Sequence, residues 1–508
     1  MQKQDFHILF STRTLRLFAY GFLSVVLALY LAQVGLSEAQ IGLLLTFTLL
    51  GDTLISLWIT TRADRIGRRQ MLILGAGLMV LAFLTNPHVA RADNFNYRGC
   101  AWPLEMSPEG TANFQLPDDS ARYWIMPFDT TQYETMTIKG TYPNIRYFSF
   151  AAYETIDYDA INNTNQGFDI AGPLSDAQIA PDQGGINPFV QRGSRNSTYT
   201  VVISRTGQTS GNTIAVSHDL VWILLRMYVA DADPSLSGQS LMGGVPLPTI
   251  TVTDRTGASR QLEACSQINK WVDLSKFVQF LFPPSLDLSI NEGTPSSDRL
   301  WFAPPKNPPS ILWPNPDNKY MMMLPGNDYQ PGRIIVIHGK APGFPDTFNG
   351  SPIWVPSQGF RTVDMRFWAL CTADFASPFS VINCATDFNT DREGKYYTIV
   401  ISDDLVRPKW LRGRPNVNWL PYGDEQYRKV VALRNMLPAP DFSHAVQDAW
   451  RKDGCTFNFS LENLPLNRGD IDAAGLCAQG VMGDYYPVAV WCDKSTFLAG
   501  GFRACLNR

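Results

Sequence analysis

Two nearly identical hexapeptides, YTVVIS at Tyr199–Ser204 and YTIVIS at Tyr397–Ser402, lie far apart in this chain of 508 residues. Both consist mainly of aromatic and β-branched residues, which favour β-strands. Turn-forming residues separate them from the neighbouring apolar runs, as is typical at strand ends. We therefore predict that each hexapeptide is a strand of its own β-rich unit.

The neighbourhoods of the two hexapeptides repeat the same order. Upstream lies an Arg-aromatic strand pattern, Arg146-Tyr147-Phe148 in the first copy and Arg366-Phe367-Trp368 in the second. Downstream lies a Leu-Arg pair in an apolar run, Leu225-Arg226 and then Leu433-Arg434. The spacings differ, so chance similarity among β-rich strands is the alternative. The shared order favours an internal duplication, and we expect its four arginines to form ion pairs within the fold.

Further β-rich runs between turn signals support a mainly β fold of two β-sandwich-like halves with few helices. They are Met136–Ile138, Arg146–Tyr153, Thr249–Val252, Arg333–His338 and Met365–Leu370. A helical stripe predicts a helix over Ser266–Phe282, which Pro283 and Pro284 end. A second helix is predicted at Phe442–Lys452, with Asp441 as its N-cap.

Composition divides the chain into four predicted segments. Residues 1–92 form a membrane or signal segment, and residues 93–282 form the first β-rich domain. Residues 283–331 are rich in proline and are predicted to be an extended connector. Residues 332–508 form the second β-rich domain, which ends in a cluster of cysteines.

The first 92 residues contain eight basic and four acidic residues, and they contain no cysteine. Their apolar runs, Leu17–Val34, Ile41–Thr61 and Met71–Leu84, predict two or three hydrophobic helices of the transmembrane or signal type. Basic clusters lie before the first run and between the second and third. The positive-inside rule places both clusters in the cytoplasm, so the chain after Leu84 is predicted to lie outside it.

Residues 1–84 resemble the N-terminal helices of major facilitator superfamily transporters. The stretch Gly51–Met71 matches the family's second-to-third helix connection through Asp64, Arg65 and Gly67-Arg68-Arg69, while Thr60 replaces a usual glycine. The resemblance implies membrane attachment through residues 1–84 if they are not removed. Such a transporter needs about twelve helices, so the resemblance indicates a truncated, fused fragment rather than a complete transporter.

The third apolar run also has the parts of a signal peptide. Arg68-Arg69 precede it, and Ala90-Arg91-Ala92 follow as a small-x-small cleavage pattern. Cleavage there would make Asp93 the first mature residue. The alternative is a short third helix that remains as an anchor, and both interpretations place residues 93–508 outside the cytoplasm.

Cysteine usage agrees with export, because all eight cysteines follow residue 92. An even number on the exported side predicts up to four disulfides in an oxidising compartment. Roughly a hundred pairings are open, and the crowding near the C-terminus predicts at least one local bridge there. The predicted disulfide residues are Cys100, Cys265, Cys371, Cys384, Cys455, Cys477, Cys492 and Cys505.

The second copy resembles uncharacterised exported bacterial β-sandwich proteins of the domain-of-unknown-function 1254/1214 type. The resemblance rests on Tyr397–Ser402, then Asn418-Trp419-Leu420-Pro421, then Leu433-Arg434. It implies a fold and an exported location, and it implies no activity.

Sequence motifs identify no catalytic chemistry. The net charge of −4 argues against a nucleic-acid partner. The chain contains no H-E-x-x-H, no G-x-S-x-G and no glycine-rich phosphate loop after a strand. A catalytic set assembled from distant residues stays open, so the sequence decides neither for nor against an enzyme and identifies no cofactor.

One polar segment offers oxygen ligands at alternate positions and is the candidate metal site. Calcium prefers such hard oxygen donors. An EF-hand does not fit, and a polar hairpin loop is the alternative. The candidate ligands are Asp387, Asn389, Asp391 and Glu393.

Tryptophans in Pro- and Gly-rich segments are the candidate ligand contacts, because flat aromatic faces stack on sugar rings or enclose apolar ligands. They are Trp301, Trp313, Trp410 and Trp419. Asp403 and Asp404 follow the second hexapeptide and are candidates for binding hydroxyls or a cation. We predict that any ligand lies between or beside the two halves. The alternative is that these tryptophans only seal the connector onto the sheets.

Three classes of function fit the sequence. The first is an exported, disulfide-containing β-rich protein with a binding or structural role, whose partner is a glycan, an apolar ligand or an extracellular assembly. The second is an exported hydrolase with unidentified catalytic carboxylates. The third is a transport-associated membrane protein. The sequence does not fix an oligomeric state.

Overall fold

The computed structural model describes residues 99–506 except 111, 158–166, 192–195, 208, 232–241, 271–272, 283–297, 327–329, 350–352, 354–362, 425–426 and 460–465. All of them belong to one compact unit, Ala90–Arg508. The apolar runs predicted to be membrane or signal helices, and the predicted cleavage site before Asp93, lie outside the described residues. Among the described residues, no helix is both long enough and apolar enough to cross a bilayer.

The described part of the chain is mainly β, as predicted, with nineteen strands in four sheets and four α-helices. The first ten strands are β1 Leu104–Met106, β2 Ala121–Asp129, β3 Tyr133–Thr141, β4 Ile145–Ile156, β5 Gly167–Ser175, β6 Thr198–Ser204, β7 Thr213–Ala215, β8 Leu220–Ala230, β9 Thr249–Asp254 and β10 Ser259–Leu262. The others are β11 Arg299–Leu300, β12 Asn318–Met323, β13 Arg333–Lys340, β14 Met365–Asp374, β15 Val381–Thr386, β16 Tyr396–Ser402, β17 Val417–Pro421, β18 Lys429–Pro438 and β19 Val488–Asp493.

Both predicted helices are shorter and begin later than the sequence predicts, and two further helices near the C-terminus were not predicted. The described helices are α1 Leu274–Leu281, α2 Val446–Arg451, α3 Arg468–Met482 and α4 Lys494–Leu506. Helix α1 begins after Asp273, whose carboxylate accepts the amides of Ser275 and Lys276. The predicted cap at Asp441 is wrong, because α2 has its N-cap at Ala445.

The two halves repeat one connectivity. The order β2-β8-β4-β5 in the first half matches β12-β18-β14-β15 in the second, and β9-β3-β6-β7 matches β19-β13-β16-β17. Even the exception repeats, since β6–β7 and β16–β17 are parallel pairs among antiparallel neighbours. The two hexapeptides are the equivalent strands β6 and β16. This shared topology supports the predicted internal duplication.

The four sheets pack in layers, because alternate side chains of a strand point to opposite faces of its sheet and both faces are buried. Along β8, Val221, Ile223 and Leu225 belong to the core between the two sheets of the first half. Trp222 and Leu224, which point the other way, belong to a central core shared with the second half. A third core lies between the two sheets of the second half. Helix α4 covers the outer face of β13, β16 and β19 through a smaller fourth core.

The predicted proline-rich connector contributes to the sheets where it is described. Its strand β11 pairs with β19, and β12 pairs with β18. The segment between them carries Trp313, which is buried in the central core. The domain boundaries themselves stay a prediction.

All eight cysteines are paired, as predicted. The bridges are Cys100–Cys265, Cys371–Cys384, Cys455–Cys477 and Cys492–Cys505. Two of them are local bridges near the C-terminus, where at least one was expected. Four disulfides suggest an oxidising location outside the cytoplasm.

Candidate functional site

The four arginines of the duplicated strands are all buried. Their exposed fractions are 0% for Arg146, 2% for Arg226, 3% for Arg366 and 2% for Arg434. Burying a charge is costly unless it is paired and hydrogen-bonded. The ion-pair and hydrogen-bond partners of these arginines therefore decide how far the cost of burying each charge is offset.

Two of the arginines cross between the halves in a reciprocal arrangement. Arg146 of the first half pairs with Asp387 of the second at 2.5 Å, and Arg366 of the second pairs with Asp176 of the first at 3.0 Å. Each aspartate also accepts a backbone amide of its own half at 3.2 Å, from Trp368 and Phe148 respectively. The equivalent arginines of the two halves thus each pair with the equivalent aspartate of the other half.

The other two arginines differ from each other. Arg434 donates to the Asp118 carboxylate at 2.5 Å and to the Leu116 carbonyl. Arg226 donates to the equivalent carbonyl, that of Trp313, at 2.9 Å and to the hydroxyl of Tyr153. Among the described residues no carboxylate oxygen lies within 4.0 Å of the Arg226 guanidinium, whose Nη1 has no hydrogen-bond partner.

The difference traces to one amino acid. The first copy has Leu116-Pro117-Asp118 and a tyrosine five residues later, and the second has Trp313-Pro314-Asn315 with the same spacing to Tyr320. The amide of Asp118 donates to the Tyr123 hydroxyl at 3.1 Å, and that of Asn315 donates to the Tyr320 hydroxyl at 3.2 Å. Asn315 therefore occupies the place of Asp118, and no described residue gives Arg226 the carboxylate partner that Arg434 has.

A small cavity of about 30 Å³ lies at this place in the central core, between the two halves. Both Arg226 and Arg434 line it, and none of its described lining residues is acidic. One buried water needs at least about 10–15 Å³ by the same measure, so the space suits about two water-sized positions. The other lining residues are Met106, Gln115, Leu116, Pro117, Tyr123, Leu224, Tyr228, Leu312, Trp313, Asn315 and Tyr320.

The tyrosines of the wall are hydrogen-bond donors. Burial raises the pKa of Tyr123 to about 12 and raises that of Tyr228 well above its ordinary value, so both phenols stay protonated. Their hydroxyls bond each other at 2.8 Å, which uses one of their two protons. The Tyr320 hydroxyl accepts from the Asn315 amide and donates to no acceptor among the described residues. An anion facing this wall would meet donors from several directions.

One predicted ligand contact, Trp313, is among the described residues that line this cavity. Trp313 is 3% exposed and stacks on Tyr153 with ring centroids 5.1 Å apart. Its Nε1 has no partner among the described residues. Asp118, Asn315 and the tyrosines were missed, although the repeated Pro-Asx spacing to a tyrosine was a readable signal.

The other predicted ligand residues lie elsewhere in the second half. Trp410 Nε1 donates to Asp404 at 3.2 Å, and Trp419 Nε1 donates to Ser402 Oγ at 2.9 Å. Asp403 is exposed beside them. Trp301 is half-buried, with the Arg299 guanidinium 4.8 Å from its ring centroid. None of these five lines the cavity, and their roles in binding stay predictions.

The predicted calcium ligands differ in exposure, and calcium binding by them stays a prediction. Asp387 is buried in its ion pair with Arg146. Asn389 Oδ1 accepts the Thr386 amide at 2.8 Å, while Asp391 and Glu393 are exposed. Among the described residues, the group that brings three potential ligand atoms together is Asp118, Cys371 and Cys384. Both of its sulfurs are in a disulfide and Asp118 is paired with Arg434, so these atoms are already committed.

A carboxyl group beside the cavity wall makes stability depend on pH. Burial and the neighbouring Asp118 raise the pKa of Asp119 from its ordinary value of 3.8 to about 7, although the Cys384 amide and Arg434 lower it. The folded state therefore binds this proton more tightly than the unfolded chain does. The contribution of Asp119 is favourable at low pH and is lost as pH rises through the window from about 4 to about 7.

We expect Asp119→Asn to remove part of this pH dependence. An asparagine mimics the protonated carboxyl and keeps an oxygen for the Cys384 amide, which Asp119 accepts at 3.0 Å. The variant should be about 2–4 kcal/mol more stable than wild type at pH 8 and similar to it at pH 4. Urea unfolding at the two pH values measures this, with the exposed Asp403→Asn as control. Equal pH slopes in wild type and Asp119→Asn would contradict it.

Comparisons with known proteins identify neither a family nor an activity for this chain. No family model matches the chain. The uncharacterized membrane protein YJR124C of Saccharomyces cerevisiae is 38% identical over 81 residues, which are 16% of this chain and 18% of that protein. This chain therefore spans less than a fifth of that relative. The match is a likeness to a membrane protein, and it confirms neither of the two family resemblances suggested by the sequence.

Two solved structures are similar in part. An uncharacterized protein from Burkholderia cenocepacia matches with a TM-score of 0.43 and 14% identity, over 69% of this chain and 82% of its own. The VPA0106 protein from Vibrio parahaemolyticus matches with a TM-score of 0.32 and 12% identity, over 66% of this chain and 88% of its own.

Proposed function

We propose that this protein is an extracytoplasmic binding protein whose ligand site is the cavity between its two halves. The observation that carries the proposal is the wall of that cavity, to which both halves contribute and in which Arg226 Nη1 and Trp313 Nε1 have no described partner. Buried donors are almost always satisfied in folded proteins. A site that keeps two of them unpaired at an interface between halves is suited to a ligand that pairs them.

The size of the cavity restricts the ligand. A space for about two water-sized positions suits a molecule of a few heavy atoms and not a sugar ring. A glycan or apolar partner, which the sequence suggested, would have to use another surface, and the exposed region around Trp410 and Trp419 remains the proposal for it. The four disulfides support a location outside the cytoplasm.

We expect small polar molecules to raise the unfolding temperature of the full chain through this cavity. A panel of carboxylates, inorganic anions, alcohols and amides is screened against wild type and Tyr320→Phe, which removes one hydroxyl from the wall. Tyr199→Phe is the matched control, because that buried hydroxyl has no described partner and lies in the core of the first half.

The proposal predicts a stabilising molecule whose effect falls in Tyr320→Phe and persists in Tyr199→Phe. A panel in which no molecule stabilises the protein, or in which both variants respond as wild type does, would contradict binding in this cavity.

A further inference from the structure

We propose that the cavity binds a small oxoanion of the carboxylate type, which serves Arg226 as the counter-ion that Asp118 provides for Arg434. This inference rests on the binding function proposed above and specifies its ligand class. Arg226 is 2% exposed, yet its guanidinium has no carboxylate partner among the described residues. The charge of an arginine persists at any physiological pH, so it cannot be removed by deprotonation.

The duplication supplies an internal reference for this anion. In the first copy, Asp118 Oδ1 accepts the amide of Ser120 two residues later at 3.0 Å, which leaves Oδ2 for Arg434. In the second copy, Asn315 Oδ1 accepts the amide of Asp317 two residues later at 3.2 Å. The Asn315 amide nitrogen therefore takes the place of the carboxylate oxygen that binds arginine.

Consequently, the described wall offers several donors near the place where the first copy has an acceptor, beside one unpaired acceptor, Gln115 Oε1. Among the described residues, Arg226 Nη1 has no hydrogen-bond partner, and the Tyr320 hydroxyl accepts from the Asn315 amide without donating to any acceptor. The Asn315 Nδ2 makes a long contact of 3.4 Å with the Tyr147 hydroxyl. One further proton is available from the pair Tyr123 and Tyr228. Charge-assisted hydrogen bonds from arginine to a carboxylate are stronger than neutral ones, and this set of donors favours an anion over a neutral molecule.

Asp317, the acidic residue nearest to Asn315 in sequence, already accepts hydrogen bonds from other groups. Asp317 accepts from the Tyr147 hydroxyl at 2.7 Å and from the Ser175 hydroxyl. The ion pairs of the described residues do not include one between Asp317 and Arg226. The described residues therefore supply no counter-ion for Arg226, and we expect a bound anion to serve as one.

The cavity limits the size of that anion. Its volume of about 30 Å³ suits two or three heavy atoms. Formate has three heavy atoms and presents the two oxygens that a guanidinium and a hydroxyl can share. Formate is therefore the probe, and chloride at equal ionic strength is the reference for screening.

The test uses the full chain with its disulfides intact, unfolded by heat and titrated calorimetrically with sodium formate. A ligand that binds only the folded state lowers the unfolding equilibrium constant by a factor of one plus the ligand concentration over Kd. We expect formate to stabilise wild type more than chloride does. Tyr320→Phe should weaken formate binding about tenfold, since one hydrogen bond is lost. Tyr199→Phe should bind as wild type does.

Exchange of the Asx residue between the copies makes the sharpest comparison. Asn315→Asp provides Arg226 with an internal carboxylate, so this variant should be more stable than wild type without formate and should no longer respond to it. Asp118→Asn leaves Arg434 without its carboxylate, so it should be less stable and should gain a larger response to formate. A merely structural role for these residues would change stability in both variants and leave the formate response unchanged.

Three outcomes would overturn the inference. They are equal stabilisation by chloride and formate, a formate response that persists in Asn315→Asp, and no formate binding to wild type. If formate fails but a neutral small molecule binds in a Tyr320-dependent way, the anion class is wrong and the proposed binding function stands. If no small molecule does so, both are wrong.

Discussion

Replacing Arg146 by methionine should lower the free energy of unfolding by about 3–5 kcal/mol. The substitution leaves the Asp387 carboxylate buried without its charge partner, and breaking a buried pair from one side costs about this much. Arg146 also donates to Thr347 at 3.1 Å and lies over the Phe344 ring at 5.1 Å from its centroid. Urea unfolding of the full chain at pH 8 measures the loss.

Two comparisons separate a charge effect from a packing effect. Arg451→Met removes an exposed arginine that lies 3.3 Å from Asp448, and it should cost less than about 1 kcal/mol. The double variant Arg146→Met with Asp387→Leu should recover most of the lost stability, because replacing both buried charges by apolar groups is often nearly neutral. If the double variant is as unstable as Arg146→Met, packing around the arginine and not the unpaired charge explains the loss.

The penalty should also depend on pH. Burial already raises the pKa of Asp387 to about 6 in spite of Arg146, and removal of Arg146 would raise it further. At pH 5 the orphaned carboxyl can take up a proton, so Arg146→Met should be less destabilising there than at pH 8. The reciprocal pair predicts the same behaviour for Arg366→Met, because Asp176 is 0% exposed and burial also raises its pKa.

The strand pattern was readable from sequence because it depends on local chemistry. Aromatic and β-branched runs alternate between two buried faces, and the seven runs identified in the sequence all fall within observed strands. Helices α3 and α4 were missed for a related reason. Helix α3 contains three glycines and α4 contains two, and α4 has a non-helical residue at Gly501. Both helices show little contrast between their apolar and polar faces, so their sequence pattern is weak.

The candidate site was only partly readable because it depends on pairing between distant segments. Arg226 and Arg434 were identified as equivalent residues and expected to be ion-paired. That expectation is confirmed for Arg434 and does not hold for Arg226 in the described part of the chain. The cause is the asparagine at position 315, far from both arginines in sequence. The sequence does contain this difference, since Pro117-Asp118 and Pro314-Asn315 are equivalent pairs that differ in the residue after proline.

The disulfide connectivity could not be chosen from spacing, and it leads to the second large expected effect. Cys100 and Cys265 are 165 residues apart and join the two ends of the first half. Next to the bridge, the Ala101 amide donates to the Glu263 carbonyl at 2.8 Å and the Cys265 amide donates to the Ala101 carbonyl at 3.2 Å. The bridge thus closes nearly the whole first half into one loop.

Replacing both Cys100 and Cys265 by alanine should lower the free energy of unfolding by about 5 kcal/mol. The reason is that the entropy which the unfolded chain loses when a bridge closes a loop grows with the length of that loop. The matched control is the pair Cys492 and Cys505, whose loop spans 13 residues and should be worth about 3 kcal/mol. Urea unfolding under non-reducing conditions compares the two double variants. A larger loss from the short bridge would show that native contacts of β19 and α4, and not constraint of the unfolded chain, set the value of these disulfides. With the long bridge dominant, the first half would depend on oxidation for its stability, which fits a protein that works outside the cytoplasm.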